Sequence, residues 1–347
     1  MLSKMLSPRR LALVSLCLSI SVVPELTRSE EPTDQAVHAA IDRSLPFIEE
    51  RGQWWIEEKD CVSCHRVDMM VWSLTAARTH GFDVSYKLTE WTDWAVASSL
   101  TPNDDDVPTG RANKEGVAHL LLAGHNLIPG PNTRRELTAL LADGQQPDGL
   151  WKAGGQLPSQ NRLAAETDAV STMWLALALA REGSADARPA VDAAIQAVAN
   201  GPAAVSTEWH VLRILLAVQE QQGDVRDQGI ASLRAAQHAD GGWGWLLADE
   251  SDALGTGMAL YALRSAGVSR DDTAVVRSRD TLLRLQRDNG TWPVCGTKEK
   301  KKDRVEETAT YWGTTWAVLG LLATLPDPAA SPAGSGGDNG SVGASRQ

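Results

Sequence analysis

Apolar residues recur at helical spacing along most of the chain, in two alternating kinds of segment. Segments of the first kind are apolar on one face, which is typical of an outer layer of helices. Those of the second kind are apolar all round, which indicates burial. The pattern predicts amphipathic helices over 35–50, 87–100, 133–143, 187–199, 226–238 and 272–286, and buried helices over 68–79, 115–124, 167–181, 206–219, 252–266 and 308–324. We find no convincing strand pattern.

A repeated motif lies between the two kinds of helix. Q-Q-P-D-G-L-W (145–151), Q-H-A-D-G-G-W (237–243) and Q-R-D-N-G-T-W (286–292) share Gln, Gly and Trp at the same spacing. The copies begin 92 and 49 residues apart, so the period is about 46–49 residues with one copy skipped. I-E-E-R-G-Q-W (48–54) keeps the Gly and the Trp, and we interpret it as a degenerate turn that ends at Trp54.

The repeat resembles that of squalene cyclases and protein prenyltransferase β subunits. This resemblance implies an all-α fold, an α/α toroid of six helical hairpins (an α6/α6 barrel) over residues 33–325. It also implies that the Gln and Trp of each repeat tie helix ends together. The catalytic parts of those families do not carry over. The nearest stretch to the cyclase Asp-x-Asp-Asp acid is N-D-D-D (103–106), predicted to be a solvated turn, and Cys295 lacks the preceding Asp of the prenyltransferase zinc site.

A second motif stands out in K-D-C-V-S-C-H-R-V-D-M-M-V-W (59–72). Cys-x-x-Cys-His is the attachment signature of a c-type haem. The thiols of Cys61 and Cys64 lie one helical turn apart and suit the two vinyl groups on one porphyrin edge, while His65 is placed to bind the iron. The motif predicts one covalent haem c held by Cys61, Cys64 and His65.

Two other interpretations of this motif stay open. A disulfide between Cys61 and Cys64 would leave Cys295 as a free thiol. A zinc ion would need His65 and a fourth ligand, although adjacent Cys64 and His65 rarely suit one tetrahedral ion.

The motif together with M-V-W-S-L-T-A-A-R-T-H-G-F (70–82) resembles exported toroid proteins of environmental bacteria, which are c-type cytochromes with cyclase-type repeats. The motif precedes the first buried helix, and all buried helices of a toroid run the same way. We therefore expect the haem at one mouth of the ring, near the loops at 101–114, 152–166 and 293–307.

The second iron ligand is not fixed by the sequence. The candidates are Met69, Met70, His119 and His210, and a vacant or water-bound position is an equal alternative. His80 and His125 are expected at the opposite mouth. Other polar and aromatic residues of the buried helices are expected to line the interior, either around a small organic ligand or as a helix-capping rim: Asp168, Thr172, Glu208, His210, Asp252, Tyr311 and Trp316.

The amino terminus resembles an export signal. Lys4, Arg9 and Arg10 precede a 13-residue apolar run (11–23), which is too short to span a bilayer comfortably. A signal peptide over about residues 1–27 predicts a periplasmic or otherwise exported protein with no transmembrane span after cleavage. The formal net charge of −11 argues against nucleic acid as a partner, and residues 326–347 have the composition of a disordered tail.

These features predict an exported monohaem c-type cytochrome that works in electron transfer with a redox partner protein. One alternative is an enzyme, either a haem-dependent oxidoreductase or a diverged cyclase-like protein that binds a small organic ligand in the toroid. Another is a haem-based sensor or binding module. The charged loop at 297–307 is predicted to be solvated, with docking of an acidic redox partner as its alternative role.

Overall fold

The computed structural model describes residues 32–59, 66–124, 127–128, 130–201 and 204–327, and these residues form twelve α-helices. The outer helices are α1 (Pro32–Lys59), α3 (Leu88–Leu100), α5 (Pro131–Ala142), α7 (Arg188–Ala199), α9 (Gly223–Ala235) and α11 (Thr273–Leu285). The inner helices are α2 (Val67–Thr79), α4 (Lys114–Ala123), α6 (Ala164–Glu182), α8 (Thr207–Gln219), α10 (Ala253–Ser265) and α12 (Glu307–Leu322). Every predicted helix is present, with ends within three residues of the prediction except at the C-terminus of α1.

The inner helices form a closed ring in chain order. Each contacts the next, and α12 returns to contact α2. Glycines at 257 and 320 allow α10 and α12 to approach closely, because a Cβ on Gly320 would lie 2.7 Å from the carbonyl oxygen of Gly257. The predicted fold, an α/α toroid of six hairpins, is therefore confirmed. Because outer and inner helices alternate, the N-termini of all six inner helices surround one mouth, which we call the motif mouth since the 61–65 motif precedes α2.

The three intact repeats form the same turn. The side-chain amides of Gln145, Gln237 and Gln286 each donate to the carbonyl of the turn glycine and to a carbonyl of the next outer helix. The indole N–H groups of the three motif tryptophans donate to carbonyls at the end of the preceding outer helix. The role implied for the Gln and Trp residues is therefore confirmed.

The turn glycines meet two requirements at once. Gly290 has φ +80°, in the region where side chains are strained, and a Cβ there would overlap the backbone carbonyl of Arg43 in α1. Gln286 donates to the carbonyl of Ala40, also in α1, at 2.7 Å. The last turn of the repeat thus joins the sixth hairpin to the first and closes the outer ring.

The degenerate copy at 48–54 does not form a turn, so this prediction was wrong. The whole segment lies inside α1, which continues to Lys59. Gly52 is buried there, and a Cβ on it would overlap the sulfur atom of Met70. The glycine at this position serves close packing between α1 and α2. Gln53 is half-buried, and its side chain bonds to Glu57, one turn along its own helix, and to Lys87.

Extended structure among the described residues is limited to isolated bridges between loops, two of which join Gln160 to Lys298 and Ser206 to Leu246. No helix in the described ranges combines the length and the apolar character needed to cross a membrane. The signal peptide, the 61–65 motif and residues 328–347 of the tail lie outside the described residues.

Candidate functional site

Cys61, Cys64 and His65 lie in the segment 60–65, outside the described residues, so no geometry is given for them. That segment lies between Lys59, the last residue of α1, and Arg66, which immediately precedes α2. The motif is therefore joined directly to the first inner helix.

Arg66 fixes the chain immediately after the motif. Its side chain is fully buried, and two of its guanidinium nitrogens donate to the Glu307 carboxylate at 2.8 and 2.5 Å. The guanidinium also lies over the ring of Tyr311, 4.2 Å from its centroid, and over Trp55 at 5.0 Å. Such a bidentate and stacked arginine is held rigidly, and Arg66 thereby anchors the motif segment to the N-terminus of α12.

Asp68 and His119 form a buried pair one turn further into the ring. His119 Nδ1 lies 2.6 Å from Asp68 Oδ2, and both residues are almost completely excluded from solvent. Asp68 Oδ1 and His119 Nε2 are buried without a hydrogen-bond partner. Burial raises the pKa of Asp68, while the hydrogen bond and charge of His119 act in the opposite direction.

A cluster of aromatic rings fills the ring interior beneath this pair. Trp72, four residues after Asp68 and so on the same helix face, lies 5.6 Å from Trp316, 6.0 Å from Tyr261 and 6.1 Å from Trp174, centroid to centroid. His119 meets Trp174 edge-on at 4.5 Å. The Nε1 atom of Trp316 is also buried without a partner. Edge-to-face packing of this kind makes a rigid apolar floor.

Further acidic groups occupy the first turns of α4 and α8. Glu208 accepts from Arg162 at 2.7 Å and from the indole N–H of Trp174 at 2.9 Å. Glu115 accepts from the hydroxyl of Ser171. Burial, with the charge of Glu208 nearby, raises the pKa of Glu115 to about 7. A cleft of about 290 Å³ between the helices reaches Glu115 and Ser171.

Two loops meet across the motif mouth. The backbone N–H of Asn161, before α6, donates to the carbonyl of Thr297, before α12, at 2.8 Å, and Gln160 bridges to Lys298. We call this contact of 160–161 with 297–298 the strap. Since α6 and α12 lie opposite each other in the ring, the strap separates α2 and α4 from α8 and α10.

The candidates for a second iron ligand differ in their surroundings. His119 lies on α4, on the same side of the strap as α2. His210 lies on α8, on the other side, half-buried beside Trp209 with its Nε2 unpartnered. Met70 lies against Gly52 of α1 rather than in the ring interior, and Met69 is fully buried. His80 ends α2 at the opposite mouth, as expected, and His125 lies outside the described residues.

The predicted lining separates into two groups. Thr172 accepts from the backbone N–H of Trp151, Asp252 caps α10 by accepting from Gly255 and Trp245, and the Tyr311 hydroxyl donates to the carbonyl of Ile48. These three residues tie the inner helices to adjacent turns or to α1. Of the others, Glu208 and Trp316 lie in the interior, and Asp168 pairs with exposed Lys152 at the rim.

The acidic stretch at 103–106 is an exposed turn, as predicted. Asn103 accepts from the backbone N–H groups of Asp105 and Val107, and Asp106 has φ 58°. The 297–307 loop contains internal ion pairs, Lys301 with Glu306 and Lys302 with Glu299. Cys295 is an exposed free thiol.

Sequence reasoning missed Asp68, Glu115 and Trp72 as site residues. A signal for them exists in the i, i+4 pairs Asp68–Trp72 and Glu115–His119, which place each pair on one helix face near the N-terminus of an inner helix. A polar residue in an otherwise apolar inner helix therefore indicates a site when several inner helices carry one near the N-terminus.

The Asp68–His119 pair resembles the support of a metal ligand, although His119 Nε2 is enclosed by the side chains around it. An imidazole whose Nδ1 is held by a carboxylate and whose Nε2 is bare is the arrangement that metal-ligating histidines adopt. In the described ranges no group of three or more His, Cys, Asp or Glu side chains is arranged to hold a metal ion. A haem needs only axial donors, since its porphyrin supplies the others.

A scan against models of known protein families finds no match. Among curated proteins, mouse lanosterol synthase is 40% identical over 57 residues, 16% of this chain and 8% of that protein. The squalene–hopene cyclase of Bradyrhizobium diazoefficiens is 33% identical over 99 residues, 27% of this chain and 14% of that protein. The matches thus span only a small part of the relatives' length.

Two solved structures share the fold over most of the chain. A glycosyl hydrolase family 88 protein from Bacteroides vulgatus has a TM-score of 0.57 at 12% identity, covering 84% of this chain and 98% of that one. A type II terpene cyclase from Scytonema, in complex with geranylgeranyl dihydroxybenzoate, has a TM-score of 0.54 at 14% identity, covering 84% and 98%. The class is therefore a six-hairpin α/α toroid with local sequence similarity to terpene cyclases. None of these four proteins is a cytochrome.

Proposed function

We propose that this protein is an exported toroid that holds one covalent c-type haem at the motif mouth and works in electron transfer. The observation that carries the proposal is continuity: the Cys-x-x-Cys-His motif is joined without a linker to Arg66 and α2, which build the buried mouth. When bound, such a haem supplies a one-electron iron couple.

The chain's residues have defined roles in this proposal. The Cys61 and Cys64 thiols and the His65 imidazole would hold the haem, the thiols through its vinyl groups and the imidazole at its iron. Arg66, fixed by Glu307 and Tyr311, anchors the chain immediately after the motif to the ring. The floor made by Trp72, with Trp174 and Trp316, excludes water from the interior, which lowers the local dielectric. A redox partner protein would dock at the same mouth.

The test is export of the full chain in a bacterium that attaches haem c. We expect an absorbing protein whose mass, after denaturation, exceeds that of the processed chain by one haem. Cys61→Ala/Cys64→Ala should abolish the added mass, whereas the matched control Cys295→Ala, at an exposed free thiol, should retain it. A colourless wild-type protein from such cells contradicts the proposal.

A diverged cyclase-like enzyme is the second candidate, and the comparisons with known proteins favour it over the cytochrome. The structure supports this candidate at the carboxyl group of Glu115. A cleft reaches this group, and burial raises its pKa to about 7. A carboxylic acid that keeps its proton near neutral pH can transfer it to an alkene carbon, leaving a carbocation on the substrate. Trp151 lines the same cleft, and an aromatic ring there could stabilise such a cation.

This candidate is tested with squalene and with a geranylgeranyl-substituted phenol, by looking for cyclised products. Glu115→Gln should remove product formation, and Glu90→Gln, at an exposed position of the outer helix α3, should not. If neither the wild-type protein nor the control variant converts squalene or the geranylgeranyl-substituted phenol, the cyclase-like candidate loses its support. The haem proposal is unaffected by that result.

A further inference from the structure

We infer that the cleft beside Glu115 and Ser171 binds a small hydroxylated carboxylic acid, with Lys114 holding its carboxylate and Ser171 its hydroxyl group. This inference concerns binding alone, and it rests neither on the proposed haem nor on a cyclase-like activity. None of the residues that carry it belongs to the motif segment.

The cleft lies between the start of α4 and the middle of α6. Residues 111–115 form one wall, residues between 144 and 157 form the other, and Ser171 and Leu175 of α6 also line it. Its volume of about 290 Å³ is close to the lower end of the range for small-molecule sites, about 300–1,000 Å³. The cleft therefore suits a ligand of about one ring.

Lys114 brings an incompletely compensated positive charge to this cleft. Its ammonium group donates to the backbone carbonyl of Asp143, whose carboxylate pairs with Arg111 at 2.8 Å. Burial lowers the pKa of Lys114, the charge of Asp143 acts in the opposite direction, and the charge of Arg111 acts in the same direction as burial. An anion bound in the cleft would stabilise the charged form of Lys114.

The surplus of charge favours a carboxylate over a phosphate. Arg111 and Lys114 share one acid, Asp143, so these three residues leave a single positive charge. Lys152 also lines the cleft but is paired with Asp168 at 2.7 Å. Burial raises the pKa of Glu115 to about 7, so this acid adds only part of a negative charge at neutral pH. A carboxylate matches that surplus, whereas a phosphate monoester carries a charge of about −1.5 to −2.

The buried end of the cleft can bind a hydroxyl group. The Ser171 hydroxyl donates to the Glu115 carboxylate, and the Ser171 oxygen retains lone pairs that can accept a hydrogen bond. Both side chains are almost fully buried and yet line the cleft. Trp151 and Leu175 are buried lining residues too, and they add apolar surface for a ring. A cation on one side and a buried acceptor on the other define the class of ligand.

The probes are 3- and 4-hydroxybenzoate, which carry both groups on one ring at two spacings. Isothermal titration calorimetry of the purified, exported protein compares them with benzoate, phenol and inorganic phosphate. We expect at least one hydroxybenzoate to bind about tenfold or more tighter than each of the other three, because each of those lacks part of the recognised structure. Equal affinity for phosphate would identify an inorganic anion site, and equal affinity for phenol an apolar one. Either result contradicts the inference, as does a failure of both hydroxybenzoates to bind.

Variants assign the two contacts. Lys114→Met should weaken binding of the hydroxybenzoate about tenfold or more and leave phenol binding unchanged, since one hydrogen bond to a charged group is lost. Lys114→Arg keeps the charge and should recover most of the affinity, which separates loss of the cation from a change in the fold. Ser171→Ala should reduce the affinity for the hydroxybenzoate to that for benzoate.

Lys87→Met is the matched control. Lys87 is also half-buried, but it lies at the start of α3, outside the lining of the cleft, so this variant should bind like wild type. Unchanged affinity in Lys114→Met contradicts the inference. The haem content of the same samples is measured separately, and a protein that binds a hydroxybenzoate without containing haem contradicts only the proposed function.

Discussion

The connections α11–α12 and α1–α2 occupy equivalent places in the repeat, yet they are built differently. In the first, the turn 286–292 reverses the chain with a positive-φ glycine and a Gln bonded to the adjacent outer helix. In the second, the outer helix runs straight through the corresponding residues and the motif segment replaces the turn. Three of the six hairpins carry the intact turn, and the ring closes although the other three, α1–α2 among them, do not.

The two connections differ in the contacts that hold the chain in place between the outer and the inner helix. At the intact turn the backbone is held by its own hydrogen bonds. At the first hairpin the chain is held by side chains from other parts of the ring: Glu307 on Arg66 and His119 on Asp68. A connection that is held by side chains from other helices can differ in sequence from the repeat turn. Three predictions test this difference between the two connections, in order of expected effect.

Gly290→Ala is expected to have the largest effect. The new Cβ combines positive φ with overlap of the Arg43 backbone, so we expect a loss of about 3 kcal/mol in the free energy of unfolding. Gly81→Ala, at φ +85° in open space, should lose only about 1 kcal/mol. Gly52→Ala meets movable side chains in a helix and should lose less than half as much as Gly290→Ala. Urea unfolding measures all three, and equal losses at 290 and 52 would contradict the distinction.

The second prediction concerns the pH dependence of stability that arises from Asp252, the residue immediately before α10. Burial raises the pKa of Asp252 to about 6, although it accepts from the backbone N–H groups of Gly255 and Trp245. A raised carboxyl pKa means that the folded state binds the proton more tightly than the unfolded state. The stability that Asp252 contributes is therefore present below about pH 4 and is lost as pH rises through 6, a loss of about 3 kcal/mol by pH 7.

Asp252→Asn should remove this part of the pH dependence, measured as the difference in unfolding free energy between pH 5 and pH 7. Asp192→Asn, at an exposed residue of α7 whose carboxyl pKa is lowered by Arg188, should leave the difference between these two pH values unchanged. An unaltered slope in Asp252→Asn would mean that the carboxylate keeps its ordinary pKa in the folded protein.

The sequence predicted all twelve helices because each property needed for that is local. Periodicity over one helix and the Gln, Gly and Trp of one turn suffice. The turn at 48–54 was mispredicted because Gly and Trp occur there for a different reason: Gly52 is required by the Met70 side chain, which only the assembled ring brings near. The site was predicted in part. His119 was recognised by its place on an inner helix, but its pairing with Asp68, 51 residues away, depends on the contact of α2 with α4.

The smallest expected effects are those of replacing Gln237, in an intact repeat turn, and Gln53, in α1. Gln237 donates from one amide to the carbonyls of Gly241 and Ala274, both at 2.9 Å. Gln237→Ala removes both bonds and leaves partly buried carbonyls unsatisfied, so we expect a loss of about 1–2 kcal/mol. Gln53→Ala, in the helix that replaces the first turn, removes bonds to the side chains of Glu57 and Lys87, whose charged ends water can solvate instead, and should change stability by less than about 0.5 kcal/mol. If Gln53→Ala proves as costly as Gln237→Ala, the first hairpin retains a turn-like interaction although α1 runs straight through the corresponding residues.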